Sequence, residues 1–269
     1  MKRIIRRLGW HIRATLARPP KLVAEEIWRL RQLRHAPPAK PGVAPWRGYP
    51  LHYRDGAALL GQLNDIFVGR AYDFSTTVAS PRIIDCGAHV GVAVLRWREL
   101  YPAARITAFE ADPVIAQLLR CNLAERGDAQ TEIQAAAAWC ANGPLRFTPT
   151  GRDSGHVDSA GSDIVPACDL APFCAEPVDL LKLDIEGAEG TVLAHLAATG
   201  ALQHIRRLVC EWHEWEPRPP RLHSALELLV AAGFIYRVVE AHCLGDAKAP
   251  DFPHLAWPGN HLMIYAWRV

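Results

Sequence analysis

Several features are missing from this 269-residue chain, and each absence removes a class of protein. No apolar run reaches about 18 residues, so no segment reads as a membrane-spanning helix. No Cys-x-x-Cys pair occurs, which argues against a structural zinc. The seven cysteines, at positions 86, 121, 140, 168, 174, 210 and 243, are odd in number and several lie inside apolar runs. Buried free thiols in a reducing, cytoplasmic compartment fit that pattern better than disulfides. The first twenty residues contain no acid, yet they also lack the continuous apolar core of a secretory signal. There is no GxGxxG fingerprint, no repeat, and no low-complexity tract beyond the alanines at 135–138.

What is present is half hydrophobic, enough for one sizeable α/β domain with an appendage. The net charge of +2 conceals an asymmetry: residues 1–47 carry 12 Lys/Arg against 2 Glu, and the remainder carries 30−12 = 18 basic against 28−2 = 26 acidic residues. Within the basic part, Ile4, Leu8, Ile12 and Leu16 recur every fourth residue among arginines, with Trp10 between them, until Pro19-Pro20 stops the pattern. A second helical pattern runs through Leu22, Val23, Ile27, Leu30 and Leu33, and a Pro-rich linker spans 36–42. Residues 1–46 are therefore expected to form a basic helical arm with its linker, and residues 47–269 the main domain. The arm suits an anionic membrane surface reached through residues 1–35, at the inner face of the membrane. It equally suits packing on its own domain or on a second subunit in a homodimer. Nucleic acid is not expected as a partner, because the domain itself is acidic and carries no recognition motif.

From Pro81 onward strands and helices alternate. Strands are expected at 82–85, 105–110, 131–138, 178–184, 205–211, 234–240 and 261–268, and helices at 91–100, 113–126, 188–198 and 221–232. A hairpin is expected around Asn142-Gly143, followed by an irregular stretch to about residue 175. This order implies a mostly parallel seven-stranded sheet, helices on both faces, and an antiparallel last strand. A helix at 56–69 leads into Tyr72 and Phe74, which either cover the mouth of a pocket or belong to the core.

In such sheets ligands bind beyond the carboxyl ends of the strands. Here those ends carry Asp85, Glu110, Asp184 with Glu186, and Glu211. Asp85 leads into Gly87-Ala88-His89-Val90-Gly91, a loop in which glycine lets the backbone turn tightly and approach a ligand. Glu110 lies where an acid can accept ribose hydroxyls. An acid directly before the loop repels phosphate and attracts a sulfonium, which favours S-adenosylmethionine over NAD.

Four stretches together resemble the FkbM-type S-adenosylmethionine-dependent methyltransferases: Ile84 to Gly91, Phe109 to Pro113, Ala137-Ala138-Trp139 ahead of Asn142-Gly143, and Leu181-Lys182-Leu183-Asp184-Ile185-Glu186-Gly187-Ala188-Glu189. Glu211-Trp212-His213 is similar to a Glu-x-His of that family. His89 and Ala111 stand where the family usually has Asn and Pro. The resemblance covers roughly residues 65–265, leaves the arm outside, and implies a class I, Rossmann-like methyltransferase fold. It also implies methyl transfer to a hydroxyl oxygen of a sugar, glycan or related small metabolite. Carried over by position, Asp85, Gly87, Ala88, His89, Gly91, Glu110, Ala111 and Asp184 would hold the cofactor. Ala137, Ala138 and Trp139 would lie by its adenine, and Asp184, Glu211 and His213 would serve the acceptor.

Methyl transfer to oxygen requires loss of a proton, and a neutral His213 is the first candidate base, with Asp184 second. Lys182 is expected to pair with Asp184. A divalent metal on Asp184, Glu186, Glu211 and His213 is compatible with the residue types and is not required by them. His156, His242, His254 and His261 read as surface or core residues, and the polar loop 151–162 suits a cover over the cleft. Two other readings compete: a dinucleotide-binding oxidoreductase or epimerase, and a non-catalytic, membrane-associated scaffold.

Overall fold

Ile83 and Ile84, both fully buried, point to opposite faces of the sheet, as successive residues of a strand must. Ile83 joins one core with Val94, Trp97 and Leu119, and Ile84 joins another with Leu181, Leu193 and Leu229. A computed structural model describes residues 20–150, 155–214, 221–240, 247–249, 252–257 and 260–268. The helical pattern at 1–18 with Trp10 lies outside the described residues.

The strand carrying Ile83 and Ile84, β3 (Arg82–Cys86), sits in a seven-stranded sheet. On one side of it lie β4 (Arg105–Phe109) and β5 (Glu132–Gln134), on the other β10 (Leu180–Leu183) and β11 (Arg207–Glu214). These five strands are parallel. Beyond β11 comes β15 (Asn260–Trp267), antiparallel to it, and then β12 (Ile235–Glu240) at the edge. The order β12-β15-β11-β10-β3-β4-β5 is the expected sheet with its antiparallel last strand. Strand order reverses beside β3, which places the ligand crevice there.

The helices match their expected positions: α3 (Val92–Leu100), α4 (Pro113–Ala124), α5 (Glu189–Ala198) and α6 (Leu222–Ala231). Asp112 caps α4, accepting from the amides of Val114 at 2.8 Å and Ile115 at 3.2 Å, with Pro113 at the first helical position.

Two expectations are corrected. The segment 131–138 is not one strand: after β5 the chain leaves the main sheet, and β6 (Ala137–Trp139) joins a second sheet of order β6-β9-β7-β8, in which β8 spans His156–Val157. Nor do the residues flanking Asn142-Gly143 form a hairpin. Strand β9 (Asp163–Asp169), inside the stretch expected to be irregular, inserts between β6 and β7 (Gly143–Thr148) and pairs with both. Backbone hydrogen bonds from a distant segment outweighed the local turn signal.

At the other end, α1 (Pro20–Arg29) and the short turn after it contribute Val23, Ile27, Leu30 and Leu33 to the first core. A hairpin of β1 (Gly42–Trp46) and β2 (Tyr49–Tyr53), not anticipated, adds Trp46 and Leu51 to that core. Arg47, in its turn, reaches Glu26 at 2.5 Å and Glu99 at 3.0 Å, joining α1 to α3. Helix α2 (Gly56–Leu63) follows, with Asp55 accepting from the Ala58 amide at 2.9 Å. Among the described residues no helix is long and apolar enough to cross a membrane.

Candidate active site

A cavity of about 780 Å³ opens beyond the carboxyl ends of β3, β4, β10 and β11. Its floor is the loop after β3. Gly87 and Gly91 adopt φ of +83° and +93°, and His89 between them +49°, so that alternate residues of the loop are left-handed as the chain turns into α3. The loop is tied to its neighbour strand: the amides of Gly87 and Ala88 donate to the Phe109 carbonyl at 3.0 and 2.9 Å. Glu110 then accepts from the backbone amides of His89 at 2.8 Å and Asp112 at 2.9 Å. Burial pushes the Glu110 carboxyl up to about 7, while those amides favour its charged form.

Behind the loop, Lys182 is fully buried and holds Asp85 at 3.1 Å and Asp184 at 3.2 Å, and it donates to the Gly87 carbonyl at 2.8 Å. Desolvation raises the Asp85 carboxyl, and Lys182 opposes that rise. Asp85, expected to hold the cofactor, is completely buried and is not among the residues that line the cavity; the charge it meets is Lys182.

At the other end, Glu211 accepts from the Tyr72 hydroxyl at 2.5 Å and lies 2.5 Å from Nε2 of His261. The Tyr72 hydroxyl also reaches Asp184 at 3.3 Å. Burial, with the neighbouring Glu211 charge, pushes Asp184 up to about 6. Burial would also raise Glu211, but the His261 bond and the two imidazoles hold it down to about 2. The His213 ring stacks on His261 with centroids 4.7 Å apart. Nδ1 of His213 meets Glu189 at 3.0 Å, and Nε2 faces Glu186 at 3.6 Å. Burial would lower His213, yet the Glu189 bond and the surrounding carboxylates push it up to about 10. Where the sequence suggests a neutral base at His213, Glu189 and Glu186 flank its two ring nitrogens and favour the protonated form.

A family model described as the methyltransferase FkbM domain matches residues 85–236, more than half of the chain. The chain belongs to the FkbM methyltransferase family. The methyltransferase sdnD of Sordaria araneosa is 28% identical over 206 residues, 61% of this chain and 78% of that protein. Among solved structures, the methyltransferase FkbM from Methylobacillus flagellatus superposes with a TM-score of 0.49 at 14% identity, covering 90% of this chain and 59% of that one. M. jannaschii TYW2 in complex with AdoMet gives 0.48 at 11% identity, covering 87% and 89%. Membership makes this protein an S-adenosylmethionine-dependent methyltransferase and sets aside the dinucleotide oxidoreductase reading.

The FkbM-type cavity suits that cofactor chemically. Glu110 offers carboxylate oxygens for ribose hydroxyls, and Ala136, Ala137, Ala138 and Phe147 make a small apolar wall. Asp184 and Glu211 give the far end negative charge, which suits a sulfonium.

Of the sequence-predicted residues, Gly87, Ala88, His89, Glu110, Ala111 and Asp184 line the cavity. So do Ala137, Ala138, Glu186, Glu211 and His213. Trp139 does not: it packs against the second core. Gly91 also lies off the wall and serves packing, since a Cβ there would meet Leu119 at 2.6 Å. Two site residues escaped sequence reasoning, Tyr72 as a hydroxyl donor and His261. The only signals were an aromatic ahead of β3 and a histidine in the last strand; the pairing of β15 with β11 gives the latter its meaning. Gln62, on α2, lines the cavity and bonds His89 at 2.8 Å, so the helix before β3 does close over the pocket.

Proposed function

We propose that this protein transfers a methyl group from S-adenosylmethionine to a hydroxyl oxygen of a sugar, glycan or related small metabolite. The observation that carries the proposal is the placement of the Tyr72 hydroxyl between the carboxylates of Asp184 and Glu211 on the cavity wall, across the switch point from Glu110. Three strand spacings of about 4.8 Å separate β4 from β11, roughly 14 Å, leaving room for a nucleoside at one end and an acceptor at the other.

The bound cofactor supplies an electrophilic methyl carbon on a positively charged sulfur. Glu110 orients the ribose, and the loop amides hold Glu110. The carboxylates at the far end accept hydrogen bonds from acceptor hydroxyls and align one oxygen for in-line attack, where positioning alone has large effect. Asp184 receives the departing proton, because Nδ1 of His213 is committed to Glu189 and its Nε2 faces Glu186.

Methyl-labelled S-adenosylmethionine incubated with the protein and an extract of glycans and lipids tests this. An alkali-stable methyl ether on a hydroxylated product is expected; label found on nitrogen or as an alkali-labile ester overturns the acceptor assignment.

A further inference from the structure

Glu211, His213 and His261 are set on two adjacent antiparallel strands. In the β11–β15 register His213 stands opposite His261, and Glu211 is two residues before His213. Alternate residues of a strand share a face, as do cross-strand partners, so all three side chains project from the same side of the sheet, where they line the cavity. One donor atom from each lies within 4.8 Å of the others. Two bonds of about 2.0–2.2 Å to a central cation reach across at most about 4.4 Å, so the three donors need close in by only a few tenths of an ångström to share one ion.

A second observation lies outside this group. Glu189 is 1% exposed and is anchored by the amides of Ile185 at 3.1 Å and Gly187 at 3.0 Å. It meets Nδ1 of His213 at 3.0 Å. A carboxylate bonded to one imidazole nitrogen fixes the ring and aims the other nitrogen, which is how outer carboxylates orient metal-binding histidines. Glu186 faces Nε2 at 3.6 Å, and with Asp184 and His213 it forms a second group of closely spaced donors.

We propose that Glu211, His213 and His261 bind a divalent first-row transition cation at the acceptor end of the cavity, the ion displacing the proton that His213 otherwise carries among its carboxylates. Two imidazoles and one carboxylate suit such ions better than Mg²⁺ or Ca²⁺, which prefer all-oxygen surroundings. The role of the ion rests on the hydroxyl-methylation reading. It takes the acceptor oxygen as a further ligand and weakens that oxygen's hold on its proton. The oxygen–methyl bond then forms as the methyl–sulfur bond breaks, the proton passes to Asp184, and the ion keeps its oxidation state.

The test is a titration of EDTA-stripped, full-length protein with MnCl₂, reading free Mn²⁺ by electron paramagnetic resonance. About one ion per chain is expected, bound at least about tenfold more weakly by both Glu211→Gln and His261→Asn. Equal binding by wild type and these variants, if their melts stay cooperative, overturns the site. Should a variant unfold, spin-echo modulation of the wild-type Mn²⁺ complex decides: histidine nitrogen coupling supports the site, and its absence overturns it. Methyl transfer to hydroxyls at full rate in EDTA, with no Mn²⁺ bound, overturns the cation site and leaves the function standing. Mn²⁺ bound with histidine coupling, but methyl transferred only to nitrogen, supports the site and overturns the acceptor.

Discussion

A Cβ added to Gly87 would lie 1.8 Å from the backbone carbonyl oxygen of Asp184. The loop after β3 and the end of β10 thus touch through main chain, and Gly87 also holds φ +83°. Gly87→Ala therefore meets both a rigid obstacle and a disfavoured backbone conformation. At Gly91 the obstacle is the tip of Leu119, which can move. Calorimetry and thermal melts should show Gly87→Ala losing cofactor binding and several degrees of stability, with Gly91→Ala milder in both. Equal damage from the two would contradict the contact.

Lys182 is paired with Asp85 and Asp184 at once, whereas Asp85 has Lys182 as its ionic partner. Lys182→Met would leave Asp85 buried without a counter-charge, a change that costs about 3–5 kcal/mol. Asp85→Asn leaves Lys182 its bonds to Asp184 and the Gly87 carbonyl, and should cost less. Urea denaturation at neutral pH gives the order; a larger loss in Asp85→Asn would reverse it.

Glu110 provides the pH dependence. Its folded-state value of about 7 lies above the ordinary 4.5, so its contribution to stability is present below pH 4.5 and is lost as pH rises through about 7. Cofactor binding runs the other way, because accepting two ribose hydroxyls needs the ionised carboxylate. Binding should strengthen as pH rises toward 7, by up to about tenfold per pH unit. Glu110→Gln should flatten that profile; a variant that keeps the wild-type slope would assign the dependence to another group.

Tyr72→Phe removes a donor from Glu211 and Asp184 while keeping the ring beside Lys182. Loss of a hydrogen bond to buried carboxylates should cost about 1–3 kcal/mol of stability. Because the bond lies at the acceptor end, kcat should fall while the KM for S-adenosylmethionine stays near wild type. An equal change in both would place Tyr72 at the nucleoside end instead.

The main sheet was legible because its signals are local. Apolar runs ending in Asp85, Glu110, Asp184 and Glu211, each followed by helical spacing, suffice to order parallel strands and to bring the last three carboxylates to one crevice. Asp85 ahead of the glycine loop favoured a sulfonium cofactor, and the Lys182 to Glu189 stretch pointed to the same cofactor through its resemblance to the FkbM family.

Tertiary structure decided what each carboxylate meets. Asp85 is neutralised by a lysine nearly a hundred residues away, Glu189 is drawn into bonding His213, and Glu211 is shared by Tyr72 and His261. The break at 134–137 and the insertion of β9 beside β6 also depended on distant partners. Residue type and spacing along a chain determine which groups can do chemistry. Burial and long-range strand register determine which of them are charged, which are paired and which face the cavity, because those depend on neighbours that are remote in sequence.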